Sequence, residues 1–197
     1  MSFRKKQWND CLSMIPSIFT GIYQTYRFYP KLTALSPIFY TIAMSIASRY
    51  HYMNYIDNRT HYKWLRYDLN GQMTAIAITT YFTVFGIEGT LAILGMLMVS
   101  IHLDLKSTPQ RIYAYILNGI GCFLSTGAIT ELWFYWFVNF LIFSINFVFP
   151  NVYTHSIFHL IATHISWLTW QHSFIGNTSD NHRIIERHQN QTNDWYA

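Results

Sequence analysis

Two histidines in one apolar stretch are the residues whose type and spacing point most directly to chemistry. His155 and His159 are four residues apart, so on an α-helix their imidazoles lie on one face, one turn apart. Ionisable side chains in a stretch apolar enough to cross a bilayer are costly and usually line a functional cavity. Two imidazoles on one face form part of a zinc ligand set, which a third protein ligand completes in catalytic sites.

The composition indicates an integral, multi-pass membrane protein of the plasma membrane or an endomembrane. The chain is 51% hydrophobic and only 11% charged, whereas soluble domains carry about 25% charged residues. The net charge of +4 is spread thinly, and its longest basic run is Arg4-Lys5-Lys6. This pattern excludes nucleic acid as a partner and favours a basic start that faces anionic lipid. Cys11 and Cys122 are isolated and form no zinc motif or disulfide framework.

Seven apolar segments, each near the roughly 20 residues that a membrane-spanning helix needs, follow one another along the chain. Short connectors rich in Gly, Pro and charged residues separate them, which indicates antiparallel neighbours in one bundle. The predicted fold class is therefore all-α, a seven-transmembrane helix bundle formed by residues 1–172. Residues 173–197 are predicted to form a polar, flexible tail. The segments cover about 11–28, 35–55, 67–87, 89–103, 110–127, 130–149 and 152–171.

Helix counting places a third histidine and a carboxylate at the membrane depth of the pair. His51 lies near the end of the second segment, and the seventh begins shortly before His155. Even-numbered spans end on the side where odd-numbered spans begin, so these residues share a level with Asp68, which opens the third segment. Three imidazoles, an open fourth position and a carboxylate are what a catalytic zinc requires. The sequence predicts Zn²⁺ held by His51, His155 and His159, with Asp68 accepting a proton from water whose pKa the metal lowers to about 7.

Each of these residues also has a structural interpretation. A histidine pair on an apolar helix is compatible with hydrogen-bonded packing, and Asp68 with a carboxylate stabilised by the dipole at a helix start. His164, five residues after His159, turns away from the metal face and is assigned to packing, an interface or a lipid-facing edge. Arg49 is an intramembrane charge that we expect to reach the membrane interface.

Taken together, these residues resemble the CREST superfamily. That superfamily includes alkaline ceramidases, progestin and adiponectin receptors, and the branch of myomaker and post-GPI-attachment phospholipases. The resemblance rests on a second-helix histidine, an aspartate 17 positions later, and His-x-x-x-His in the last helix. The stretch Tyr153-Thr-His-Ser-Ile-Phe-His159 is most similar to the myomaker-like branch, as are Phe39-Tyr-Thr-Ile-Ala-Met and Leu65-Arg-Tyr-Asp68. The resemblance as a whole covers roughly residues 36–171.

The resemblance implies a seven-helix membrane protein with one zinc ion and a membrane lipid as substrate or ligand. The implied reaction is hydrolysis of a lipid amide or ester bond, with Asp68 as general base and acid. Receptors and ceramidases of the superfamily place a serine four residues before the second-helix histidine, but this chain has Ala47 there. Ser48 or Ser45 is the candidate that would take over that serine's role at the oxyanion.

Two further interpretations stay open at this point. A myomaker-like protein can act in membrane remodelling or fusion, and a receptor-like one can sense a lipid, with the zinc holding helices together. The other is a transport or scaffold bundle that binds no metal. The absence of a serine at position 47 lowers the expectation of family-typical catalysis.

Overall fold

The computed structural model describes residues 3–56, 58–83, 85–126, 129–148 and 154–176. Within these ranges the chain forms eight α-helices and no β-strand, which confirms the predicted all-α class. None of the helices in this part of the chain combines the length and apolar character needed to span a membrane. The helices are α1 (Phe3–Ser13), α2 (Ile15–Phe28), α3 (Leu35–Ile56), α4 (His61–Tyr81), α5 (Gly86–His102), α6 (Thr108–Ser125), α7 (Thr130–Val148) and α8 (Thr154–Trp170).

Two of the predicted segments, the first and the third, differ from the observed helices in ways that affect the site. The first segment is two helices, α1 and α2, that meet at Met14. Pro16 lies in the first turn of α2, where its missing N–H costs no helical hydrogen bond. The α4 helix begins at His61, ahead of the predicted 67, because its first two turns are too polar to register as an apolar segment. Asp68 therefore lies inside α4 rather than at its start, beyond the reach of the helix dipole.

The α3 helix lies at the centre of the packing around the candidate site. It packs against α1, α2 and α4, while α8 packs against α7, α1 and α2. Small side chains allow the close contact with α4: Ala43 and Ala47 are fully buried, and a Cβ atom at Gly71 would lie 3.7 Å from the Ala43 Cα. This contact holds His51 and Asp68 on neighbouring helices.

A polar stripe lines the buried side of the first two helices. Gln7, Asp10, Ser13 and Ser17 follow one another at intervals of three, three and four residues, so they share one face. All four are buried. The α1 helix thus reverses the usual pattern, in which the apolar face is the one that packs inward. A buried polar face needs hydrogen-bond partners on its neighbours, and it finds them on α3 and α8.

Packed structure continues past the predicted boundary at residue 172. A short π-helix, Gln171–Gly176, extends α8. Within it the Phe174 side chain is buried and meets the ring of Phe28 edge-on, with 5.2 Å between ring centroids. The helical structure thus includes residues 173–176 of the predicted tail, and the rest of that tail, 177–197, lies outside the described residues.

Candidate metal centre

Three histidines converge between α3 and α8. His51, His155 and His159 each offer one ring nitrogen, and these nitrogens all lie within 4.8 Å of one another. The ring centroids of His155 and His159 are 4.5 Å apart, and His51 lies 5.2 Å from each. His51 and His159 are buried, and His155 is half-buried. The structure thus brings the three sequence-predicted ligands together in a group that could hold a metal ion.

Side chains of α1 contact two of these imidazoles at Nδ1. Nδ1 of His51 lies 3.0 Å from Oε1 of Gln7, and Nδ1 of His159 lies 2.7 Å from Oγ of Ser13. The Ser13 hydroxyl also lies 2.7 Å from the carbonyl oxygen of Asp10. The sequence-based prediction does not include these residues, because its first apolar segment begins at residue 11 and it rests on apolar periodicity. A polar stripe at helical spacing, from Gln7 to Ser17, was the available signal.

Asp10 adds a buried carboxylate beside the cluster. Its Oδ1 accepts a 2.8 Å hydrogen bond from the Ser156 hydroxyl, next to His155 in α8. Its Oδ2 is buried and has no hydrogen-bond partner within the described ranges. A cation bound nearby would favour the charged carboxylate.

The three histidines line a cavity of about 650 Å³. Asp68 lines the same cavity and is buried, as is predicted for a group that acts beside the metal. The Nε2 amide of Gln72, one turn further along α4, donates a 2.7 Å hydrogen bond to Asp68 Oδ1. The remaining wall is largely aromatic and comes from α6, α7 and α8, with Tyr115, Phe123, Phe137, Phe140, Phe143 and Phe158.

One amide on this wall lacks a partner. Nδ2 of Asn118 is buried without a hydrogen bond in the part of the chain that the structure describes. Asn118 also borders a second cavity of about 80 Å³, which shares Gln72, Phe158 and His159 with the first. A buried donor without an acceptor is costly, and such groups are often satisfied by water or a ligand.

The candidate serines lie away from the cavity. The Ser48 hydroxyl lies 3.3 Å from the Cys11 thiol on α1, and Ser48 is not among the residues that line the cavity. Ser45 is exposed and donates a 2.8 Å hydrogen bond to the Thr41 carbonyl of its own helix. Ala47 is fully buried. The other uncharged polar side chains on the cavity wall include Gln72, Asn118 and Ser144 of α7.

Two predictions about neighbouring charges can be compared with the structure. His164 is exposed, lies outside the cluster, and stacks on Trp167 with 6.0 Å between centroids. Arg49 is also exposed, and its guanidinium lies 5.4 Å from the ring centroid of Tyr52 and 5.7 Å from that of Trp64. Both residues are turned away from the three histidines, so neither belongs to the candidate centre.

The chain matches no protein-family model, no curated protein and no solved structure. The resemblance to the CREST superfamily therefore stays a prediction that rests on the residues quoted for it. What the fold and the geometry define is coarser: an all-α bundle in which a three-histidine cluster lines a largely apolar cavity.

Proposed function

We propose that this chain is a multi-pass membrane protein with one zinc ion at His51, His155 and His159, and that it hydrolyses a lipid amide or ester bond in the manner of the CREST superfamily. The observation that carries the proposal is the convergence of the three imidazoles with Asp68 on one cavity. Three nitrogen donors leave a fourth position for water or substrate, as in catalytic rather than structural zinc sites. The Nδ1 atoms of His51 and His159 are hydrogen-bonded to Gln7 and Ser13. Zinc-binding histidines usually have such a hydrogen bond at the ring nitrogen that does not bind the metal.

The outer surface of the bundle supports a place in the membrane, arranged as seven spans with α1 and α2 as the first. Large apolar side chains are exposed on α5 at intervals of four, three and four residues, and others follow on α7. Such extended apolar surface is rare on soluble monomers and suits contact with lipid. The exposed residues on these two helices include Ile87, Leu91, Leu94, Met98, Phe134, Phe137, Leu141 and Ile145.

The proposed chemistry divides between the ion and the cavity wall. When bound, zinc supplies Lewis acidity to a carbonyl oxygen and makes a water molecule more acidic. Asp68 accepts the proton of the attacking water and passes it to the leaving amine or alcohol. The Gln72 amide holds Asp68 Oδ1 in place for both steps. The unpaired Nδ2 of Asn118 supplies a hydrogen bond to a developing oxyanion, which is the role that the sequence predicted for a serine.

The cavity suits a lipid substrate. Its volume of about 650 Å³ falls within the roughly 300–1,000 Å³ of small-molecule sites. Its aromatic and aliphatic side chains favour an apolar chain, while the histidines, Asp68, Gln72 and Asn118 supply polar groups on the same wall. The bond to be cleaved would then lie among the polar groups, with the hydrocarbon portion along the aromatic side.

The position of Ser48 favours a second candidate, a non-enzymatic membrane-remodelling or lipid-sensing protein with a structural zinc. With Ala47 buried and Ser48 directed at Cys11, no serine side chain occupies the family's position near the oxyanion. In that case the zinc ion ties α3 to α8 and contributes to folding rather than to turnover.

Two measurements on the purified protein in lipid separate the candidates. Elemental analysis should find one zinc per chain. Mass spectrometry of ceramides, GPI lipids and phospholipids should show turnover by the wild type that falls by about 10²- to 10⁴-fold in Asp68→Asn with zinc retained. Zinc without turnover of any of these lipids would overturn the hydrolase and leave the structural zinc. Absence of zinc would overturn both.

A further inference from the structure

We propose that α1 sets the protonation pattern of the candidate metal centre: Gln7 and Ser13 hold the N–H of His51 and His159 at Nδ1, which leaves both Nε2 atoms free to bind the ion. This assigns a positioning role to a helix that the sequence indicates only as a basic start. The proposal rests on the proposed zinc site for its purpose, but the tautomers that it specifies exist with or without metal.

Gln7 determines the proton at His51. The atom that faces His51 Nδ1 at 3.0 Å is Oε1, an amide oxygen, which can only accept a hydrogen bond. The N–H of a neutral His51 must therefore be at Nδ1, and its lone pair at Nε2. Gln7 and His51 are both buried, so water does not compete for this bond.

Counting protons determines His159 in the same way. A serine hydroxyl has one proton to donate. Ser13 lies 2.7 Å from the Asp10 carbonyl oxygen, which has no proton of its own, so the hydroxyl donates there. Toward Nδ1 of His159, at 2.7 Å, the same oxygen can then only accept. The N–H of His159 is therefore at Nδ1, and Nε2 is again the nitrogen left for a metal.

A third contact from α1 fixes the start of α8. The Ser156 hydroxyl donates to Asp10 Oδ1 at 2.8 Å, one residue from His155. Gln7, Asp10 and Ser13 thus each reach one of the two ligand-bearing helices from a single face of α1. A zinc-bound histidine whose second nitrogen donates to a fixed acceptor is held in orientation and is a better base toward the ion. Loss of such a contact typically costs 10- to 100-fold in metal affinity.

Zinc competition with a chelator tests the Ser13 contact in the full-length protein. Ser13→Ala should lower zinc affinity 10- to 100-fold, and Ser13→Thr, which keeps the hydroxyl, should restore most of it. Ser17→Ala is the matched control, because Ser17 is a buried serine one turn further on whose hydroxyl bonds Thr163 of α8 rather than a histidine ring. Equal zinc affinity in Ser13→Ala and Ser17→Ala would overturn the proposal.

The tautomers themselves can be read by ¹⁵N NMR of histidine-labelled, zinc-free protein. His51 and His159 should both show Nδ1–H, and Gln7→Leu should release His51 from that form without changing His159. A wild-type spectrum with Nε2–H at either residue would overturn the proposal, whether or not variants fold. A wild type that binds no zinc but shows both Nδ1–H tautomers would refute the proposed function and leave the role of α1 intact.

Discussion

Gln72 donates a 2.7 Å hydrogen bond from its side-chain amide to Oδ1 of Asp68, one turn away on the same helix. Because both residues line the cavity, this bond holds the proposed proton acceptor in one orientation. Gln72→Leu should lower lipid turnover by about tenfold while zinc content stays unchanged. A tenfold loss corresponds to a barrier raised by about 1.4 kcal/mol, which is comparable to the contribution of a hydrogen bond to a charged group. Turnover equal to wild type would show that Asp68 needs no such support.

Two histidines of α8 provide a test variant and a matched control for the proposed metal site. His159 belongs to the cluster, whereas His164 is exposed and stacks on Trp167. His159→Ala should lower zinc affinity by more than about 100-fold, beyond what loss of a supporting hydrogen bond costs, and His164→Ala should leave it unchanged. Chelator competition measures both. If the two variants behave alike, the cluster is not the zinc site.

A buried glutamine away from the site predicts a gain in stability. Gln24 of α2 is fully buried, and neither atom of its amide has a hydrogen-bond partner in the described part of the chain. Replacing it with leucine, which is similar in size, removes two unsatisfied groups and should raise the free energy of unfolding by about 1–3 kcal/mol. Denaturant titration in detergent measures this difference.

The same variant serves as a control for the cavity. Gln24→Leu should leave turnover and zinc affinity at wild-type values, in contrast to Gln72→Leu, although both substitutions are chemically identical. A destabilised Gln24→Leu would mean that a water molecule or lipid headgroup satisfies this amide.

His61 at the start of α4 predicts a dependence of stability on pH. Its Nδ1–H donates to Asn54 Oδ1 at 3.1 Å, and burial, followed by the positive charge of Arg111, lowers its pKa below the ordinary value of 6.5. As the pH falls below 6.5, the unfolded chain takes up a proton at this residue before the folded chain does, so the folded state loses stability.

His61→Gln removes this titration while keeping a hydrogen-bond donor. The stability of the wild type relative to His61→Gln should therefore decrease as the pH is lowered from about 7.5 to about 5.5. Unfolding free energies of both proteins across this range provide the measurement. A difference that does not change with pH, or that increases toward acid, contradicts the lowered pKa.

The sequence predicted the helices well where they are apolar. The second predicted segment and the fourth to seventh fall within about three residues of α3 and of α5 through α8, because apolar runs bounded by Gly, Pro and charges leave few alternatives. It also named the three histidines that converge, since their places along the chain set their level in the bundle. Asp68 lines the cavity with the histidines, although it lies two turns inside α4 and not at the start of that helix as predicted.

The polar part of the site could not be found in the same way. Gln7, Asp10 and Ser13 bury a polar face, and a search for buried apolar faces places such a helix at the surface. Whether Ser48 faces the cavity or Cys11 depends on the rotation of α3 about its axis, which a spacing of three residues from His51 does not determine. Asn118 became a candidate only through its unpaired amide, a property of packing and not of sequence.

The cluster joins parts of the chain that are made at different times. His51 belongs to α3, its support comes from α1, and the other two histidines arrive with α8. No nascent chain that ends before His159 carries all three histidines, so binding of the proposed zinc ion would report that α8 has packed against α1 and α3. Because binding of a metal ion is linked to folding, a chelator that removed the proposed ion would first weaken the packing of α1, α3 and α8 around the cluster, and only then α4 through α7.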